Sequence, residues 1–329
     1  IGSTGLPGNF QVPAGWPATI VMVMYDDCGN PVTKGQVIAT FSNGDSPVSL
    51  ISDNVSGTYS GTWNVGKVVT SMRVTATGTA SGLGSATTTV NGGTKTNPTP
   101  PPVLVANGIL HNSNPVLGGA LAPGNVVAVY GSGLASQTAS PTTMPLPTVF
   151  NGTEVNIGGL DAPLYFTSEG QLNAQIPSEL APDRQYQAVV IVNNVPTTPI
   201  TINLVPVAPG VSSFSDGRLI AQHADYSLVT PTSPAQPNEV LVMYLAGMGA
   251  TQTPVATGKV SPATQVSTPA TVTVDGQPAQ VFYAGLTPGG IGLYQINFQV
   301  PASAKSGTLP VVVTQGGVTA NQTMLPVGN

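Results

Sequence analysis

Two histidines, His111 and His223, stand in the chain beside thirteen Asp and Glu, eight Lys and Arg, and one cysteine, Cys28. Acid–base or nucleophilic catalysis needs several such groups converging on one point. Around His223 a Ser-His-Asp relay would draw on Asp225 or Asp216 and on Ser213. The Gly-x-Ser-x-Gly turn that presents a nucleophilic serine is missing, because Gly131-Ser132-Gly133 has the wrong spacing. Nor does any spacing single out the facing carboxylate pair that glycoside hydrolysis requires. The chain therefore reads as no enzyme, with no catalytic residues, and with His223 in surface or inter-domain hydrogen bonds. A single cysteine excludes a disulfide within the chain and a Cys-rich metal cluster. Cys28 reads as a turn residue or a small buried hydrophobe.

Oxygen chemistry is better supplied. Asp26, Asp27 and Asn30 share one turn, and a sandwich would bring the loops of Asp45 and Asp53 toward it. Such hard ligands from loops suit calcium, although no EF-hand spacing is present. The competing reading is Asx-turn capping of the loop backbone. No other cofactor is implied. Lys34 and Lys67 are the positions to inspect for an intramolecular Lys–Asn bond, against solvated surface lysines. Asn173 and Gln175, like Asn297 and Gln299, alternate with apolar residues, so each pair projects from one strand face. They would either bind neighbouring loop backbone, with the following proline ending the strand, or recognise sugar hydroxyls while Tyr165 or Tyr283 stacks on the ring.

What must position these groups is a succession of strands. Alternation of polar and apolar residues runs through 19–25, 36–41, 57–63 and 72–77, and turn clusters such as Asp27-Cys28-Gly29-Asn30-Pro31 separate the runs. Short strands at about ten-residue spacing describe an immunoglobulin-like sandwich over residues 1–96. A Pro-rich linker at 97–102 follows, expected as extended polyproline II. Beyond it the sequence repeats. Pro123-Gly124-Asn125-Val126-Val127-Ala128-Val129-Tyr130 is echoed by Pro237-Asn238-Glu239-Val240-Leu241-Val242-Met243-Tyr244, Leu172–Pro177 by Ile296–Pro301 as Asn-x-Gln-x-Pro, and Leu204–Val207 by Met324–Val327. Two copies of one module are expected, 103–207 and 208–329. The fold class is all-β, three tandem immunoglobulin-like β-sandwich domains, with one-turn helices at most near 177–180 and 302–304.

Only 6% of residues are charged, against roughly 25% in an ordinary soluble protein. Solubility then rests on Thr, Ser, Asn and Gln, a chemistry of secreted and cell-surface proteins. A net charge of -5 excludes the basic face that nucleic acid demands, and no apolar run reaches the ~20 residues of a membrane span. The chain begins Ile-Gly-Ser and reads as an exported form with its signal removed.

Asp26-x-x-Gly29-Asn30-Pro31-Val32, with Gly57-Thr58-Tyr59 further on, resembles bacterial Ig-like domains of the invasin and intimin type, over roughly the first 95 residues. In that family the Gly-Asn-Pro turn shapes a hairpin and carries no chemistry. The 122–127 and 130–134 segments, with Tyr294–Pro301, resemble the C-terminal modules of large secreted acidobacterial proteins. That resemblance implies secretion and an Ig-like fold, and no activity. The expected role is a non-enzymatic extracellular structural or adhesive protein. Low charge weakens self-repulsion, so copies could associate into a homo-oligomer, surface filament or surface layer through strand edges. A carbohydrate-binding or accessory module of a larger secreted hydrolase is the alternative.

Overall fold

A computed structural model describes residues 1–3, 5–97 and 100–328. Every regular element among them is a strand, and they form two compact units, Ile1–Pro101 and Pro102–Asn329. Of the spacer expected at 97–102, Pro98 and Thr99 lie outside the described residues.

In the first unit Pro17–Val23 turns Ala18, Ile20 and Met22 inward, as Met72–Ala80 turns Met72, Val74 and Ala76. The period of two is what a strand with one buried face must show. One sheet joins Gly2–Ser3, Pro17–Val23 and Thr58–Asn64; the other joins Gly35–Phe41, Met72–Ala80, Ala86–Lys95 and Phe10–Pro13. Val48–Ser52 pairs with both, through Ile51 and Ser52 to Thr58–Asn64 and through Val48, Ser49 and Leu50 to Gly35–Phe41. Phe10–Pro13 lies parallel to Ala86–Lys95. This is the strand order of an immunoglobulin-like sandwich. Its core has no disulfide. Instead Trp63, 1% exposed, stacks on Phe41 at 4.6 Å and meets Phe10 edge-on at 6.2 Å. The indole N–H donates to Asp45 at 2.9 Å, which satisfies the one polar atom the ring carries inside.

The second unit holds two further sandwiches that share the order of their main strands. In one, the sheet of Val103–His111, Val126–Ser132, Gln171–Gln175 and Leu164–Thr167 faces that of Leu160–Ala162, Thr153–Ile157, Arg184–Val192 and Ile200–Leu204. In the other, Gly210–Val211, Val240–Ala246, Tyr294–Gln299 and Val281–Leu286 face Gln277–Ala279, Ala270–Val274, Gly307–Gln315 and Thr323–Val327. Register makes the repeat exact where two of the sequence echoes fall. Val126 pairs with Gln175 and Tyr130 with Gln171, as Val240 pairs with Gln299 and Tyr244 with Gln295. The same register shift recurs between Leu164 and Phe166 and between Val281 and Tyr283.

Register corrects the third echo. Ala188 pairs with both Ile157 and Ile200, and its counterpart Val311 pairs with Val274 and Thr323. Leu204 is therefore equivalent to Val327, three residues from the match that the Pro-Val dipeptides suggest. The one-turn helices are also absent: Leu180 and Ala304 close simple turns onto the carbonyls of Pro177 and Pro301. Thr323–Val327 is not a free edge. Gly307–Gln315 pairs with one side of it, while Leu219 and Ala235 donate to the carbonyls of Met324 and Pro326 on the other. Strand exchange through this segment would break both sets of bonds.

Candidate functional site at the junction of the two C-terminal sandwiches

The polar residues with the most specific surroundings lie where the two C-terminal sandwiches meet. At the end of Val103–His111, the His111 ring is 4% exposed. Its Nδ1 accepts the backbone N–H groups of Ser113 (3.0 Å) and Asn114 (3.1 Å). That geometry places the proton on Nε2, which donates to the carbonyl of Ala208 at 3.0 Å, with that of Ala246 at 3.3 Å. Burial holds the imidazole pKa below its usual value, although the carbonyls of Ala246 and Ala208 offset part of the effect. Gly247 makes the contact sterically feasible. It has φ of 75°, and a Cβ there would lie 2.2 Å from the Ala208 carbonyl and 2.7 Å from His111 Nε2.

Across the junction Gln175 accepts the N–H of Gly258 at 2.8 Å. Glu179 accepts the Thr257 N–H at 3.1 Å and its hydroxyl at 2.5 Å. Partial burial pushes the Glu179 carboxyl up, but the two Thr257 donors outweigh it and leave it below the ordinary carboxylate range. Ser178 donates to the Val255 carbonyl at 3.1 Å, and Tyr165 to that of Ile291. Burial raises the Tyr165 phenol, so it stays a donor. Each such bond is worth about 0.5–1.5 kcal/mol net, and more is lost when one partner is removed and the other stays buried.

Beside these bonds the two sandwiches enclose a cleft of about 560 Å³. Its walls are mainly apolar, with Leu180, Pro206, Pro254, Val255, Leu286 and Tyr294 from both sides. The Tyr294 hydroxyl is spent on the Gly249 carbonyl at 2.5 Å. Ser261, 5% exposed, borders the cleft, but its hydroxyl is itself closed to solvent and has no partner among the described residues.

The residues singled out from sequence fall elsewhere or carry other duties. Asp26 caps its own turn, accepting the N–H groups of Cys28 (2.9 Å) and Asn30 (2.8 Å) and the Asn30 side-chain amide at 3.0 Å. Asp27 and Cys28 are exposed on that turn. Among the described residues no three His, Cys, Asp or Glu gather in a metal-holding group. Asp45 binds Trp63, Gly66 and Asn43, and Asp53 caps Val55 and Ser56, so neither turns toward Asp26.

Tyr165 lies in the junction, whereas Tyr283 gives its hydroxyl to Leu286 at 2.6 Å. Register also shows that the counterpart of Tyr165 is Phe282, 51% exposed, not Tyr283. Asn173 and Asn297 accept from Gln171 (2.7 Å) and Gln295 (2.9 Å), their neighbours two along the strand. Gln175 and Gln299 reach loop backbone, the latter donating to Asn238 at 2.9 Å. The four candidates thus form two separate pairs, with each tyrosine hydroxyl bound to a carbonyl.

His223 does not meet Asp216, which holds Arg218 at 2.6 Å, and its Nδ1 lies 2.6 Å from Glu239 instead. Its Nε2 faces the Ser233 carbonyl at 3.2 Å and the Ser233 hydroxyl at 3.4 Å. Desolvation pulls this imidazole down, but the bonds to Glu239 and Ser233 prevail, so its pKa is raised. Both ring nitrogens are thus engaged by groups of Glu239 and Ser233, and no relay to Asp216 forms. Sequence reasoning missed the His111 lock and the pairing of 175–179 with 257–258. Alternation marked Gln175 as a partner for loop backbone, but no local spacing links it to Gly258.

No protein-family model matches the chain, and no curated protein matches it. Among solved structures it is similar to the Bacteroides ovatus mixed-linkage glucan utilization locus SGBP-B in complex with a mixed-linkage heptasaccharide, at 11% identity and TM-score 0.31 over 100% of this chain and 68% of that one. It is also similar to dimeric latent PorU from Porphyromonas gingivalis (13% identity, TM-score 0.29, 98% of this chain), of which it spans 32%. The titin I-band fragment I67–I69 gives 11% identity and TM-score 0.20 over 99% of this chain and 96% of that one. These likenesses reach neither the sequence nor the detailed geometry.

Proposed function

We propose that the chain is a non-enzymatic extracellular structural or adhesive protein. An Ig-like domain of the invasin and intimin kind precedes two copies, 103–207 and 208–329, of a module like those of secreted acidobacterial proteins. The observation that carries this reading is the junction. Buried hydrogen bonds at His111 and Gln175, and exposed ones at Glu179, tie one copy to the next, where a flexible tether would let them swivel. A fixed angle between neighbouring modules is useful for reach and presentation. Polar side chains are spent on this geometry rather than gathered around a reacting atom. Self-association, on this reading, uses exposed module faces, because the terminal strand is bonded on both sides.

The test is immunogold electron microscopy of producing cells, together with a hydrolysis screen on p-nitrophenyl esters and glycosides. Label outside the cell and no turnover is the expected result. Label confined to the interior, or turnover abolished by His223→Ala, overturns the reading.

A further inference from the structure

Tyr226 is held in a backbone conformation that its side chain does not favour. It lies in the turn between Gln222 and Leu228, with φ of 68°, and it is 80% exposed. Every other non-glycine residue with positive φ among the described residues is Asn or Asp, the types that tolerate this backbone. A bulky ring kept there in water, against its preference, points to a contact rather than to stability.

Strand pairing shows what the turn borders. Leu228 pairs with Gln222, Gln222 with Val242, Val242 with Asn297, and Asn297 with Tyr283. Directly opposed residues project to the same side of a sheet. Ala221, Met243 and Ile296, one step along their strands, fill the core, so the five form a row across the outer face. Four inter-strand spacings make it about 19 Å long. All five are at least partly exposed, and none is charged.

The rings beside this row are fixed. The Tyr283 hydroxyl donates to the Leu286 carbonyl at 2.6 Å, and that of Tyr244 to the Gln222 side chain at 2.5 Å. Burial, and then the neighbouring Tyr226 phenol, raise the pKa of Tyr244, which puts both tyrosines at one end of the row. Further along, Gln295 donates to Asn297 at 2.9 Å. The Asn297 amide N–H groups and the Gln295 carbonyl oxygen have no other partner among the described residues. Fixed rings suit the C–H faces of sugars, and free amides meet hydroxyls as donor and acceptor. A charged polymer would find no counter-charge in the row. In the first copy the equivalent centre is closed, since Ala128, in the place of Val242, is 5% exposed.

We propose that this outer face binds a straight, neutral polysaccharide chain, with Tyr226 and Tyr283 stacking on sugar rings and Asn297 and Gln295 holding hydroxyls between them. The proposal rests on the adhesive reading above and gives it a ligand.

Isothermal titration of the full chain with cellohexaose tests it, and maltohexaose, the same sugar in a curved chain, is the control. Cellohexaose is expected to bind saturably, and maltohexaose roughly 10-fold more weakly or not at all. Tyr226→Asn separates binding from folding. Asn suits the left-handed backbone, so the melting temperature should hold or rise while affinity falls roughly 10-fold, the value of one lost aromatic contact. Asn297→Leu should weaken binding several-fold. No saturable heat, equal binding of the two sugars, or undiminished binding by Tyr226→Asn overturns the proposal and leaves the adhesive reading to its own test. Bound sugar recovered intact by chromatography supports both; bound sugar recovered cleaved upholds the face and overturns the non-enzymatic reading.

Discussion

Replacing His111 by Ala should loosen residues 102–329 and leave residues 1–101 untouched. The ring serves four backbone groups: the Ser113 and Asn114 amides and the Ala208 and Ala246 carbonyls. Each buried group left unmatched costs about 1–3 kcal/mol. Water admitted to the vacated space will recover part of the sum, so about 3 kcal/mol is expected. For a body of this size that is roughly 6–12 °C in melting temperature. The pH dependence follows from the same bonds. The unfolded imidazole takes a proton near pH 6.5, whereas the folded one resists until lower pH because burial depresses its pKa. The stability contributed by the neutral ring is complete above pH 6.5 and is lost as pH falls toward the folded pKa. Each pH unit inside that window removes about 1.4 kcal/mol. Differential scanning calorimetry of wild type and variant between pH 7.5 and 5 reads both effects. Tryptophan fluorescence supplies the control, since Trp16 and Trp63 both lie in the first unit. A melt of the second unit unmoved by the substitution, or equal pH slopes in the two proteins, would refute the lock.

Asp45→Ala strands the Trp63 N–H inside the first unit and should cost about 1–3 kcal/mol, seen as an earlier denaturant midpoint by tryptophan fluorescence. Gly247→Ala forces a Cβ onto the Ala208 carbonyl at φ of 75°; left-handed backbone alone costs about 1–2 kcal/mol in a residue bearing Cβ, so calorimetry should show only the second unit melting earlier. Glu239→Gln removes the anion facing His223, and its pKa should fall in an NMR titration; the wild-type pair contributes stability below pH 6.5 that disappears as pH rises through the raised folded value. Calcium at millimolar levels should leave the first unit's melting temperature unchanged, because the Asp26 oxygens are already hydrogen-bonded to Cys28 and Asn30.

The sheets were legible because strands with one buried face write a period of two into the sequence. Ile20, Met22 and Val37 could be placed by alternation alone. The two longest echoes of the repeat were legible down to the residue, since pairing partners such as Val126–Gln175 and Val240–Gln299 recur together. The third echo misled by three residues, because Pro-Val is short enough to recur by chance near a strand end. The site was much less legible. Gln175 and Gly258 are separated by 83 positions, and no local period carries that information. His111 likewise looks like any loop histidine until the following module is folded against it.

The two histidines show what decides such a role. His111 pairs across from Val127, and Gln222, one residue before His223, pairs across from Val242. Since Val127 and Leu241 are equivalent, His223 stands at the position of His111 in the second copy. The residues beside them, Asn125 and Glu239, are equivalent too. Yet His111 is neutral and buried, with its Nε2 on the next module's Ala208, while His223 faces a carboxylate and its own Ser233 carbonyl. The Asn-to-Glu difference follows from this exposure. An ionised carboxylate at position 125, where the side chain is fully buried next to Gly247, would be desolvated, whereas at 239 it stays partly hydrated and is paired with the imidazole. One backbone position therefore serves as a lock onto the next module at His111 and as an ion pair within its own module at His223. Asn125→Glu tests this directly: it should destabilise residues 102–329 by several degrees at pH 7.5, and Glu239→Asn should cost far less. Equal effects would mean that the two positions share a role set by the module itself rather than by what packs on it.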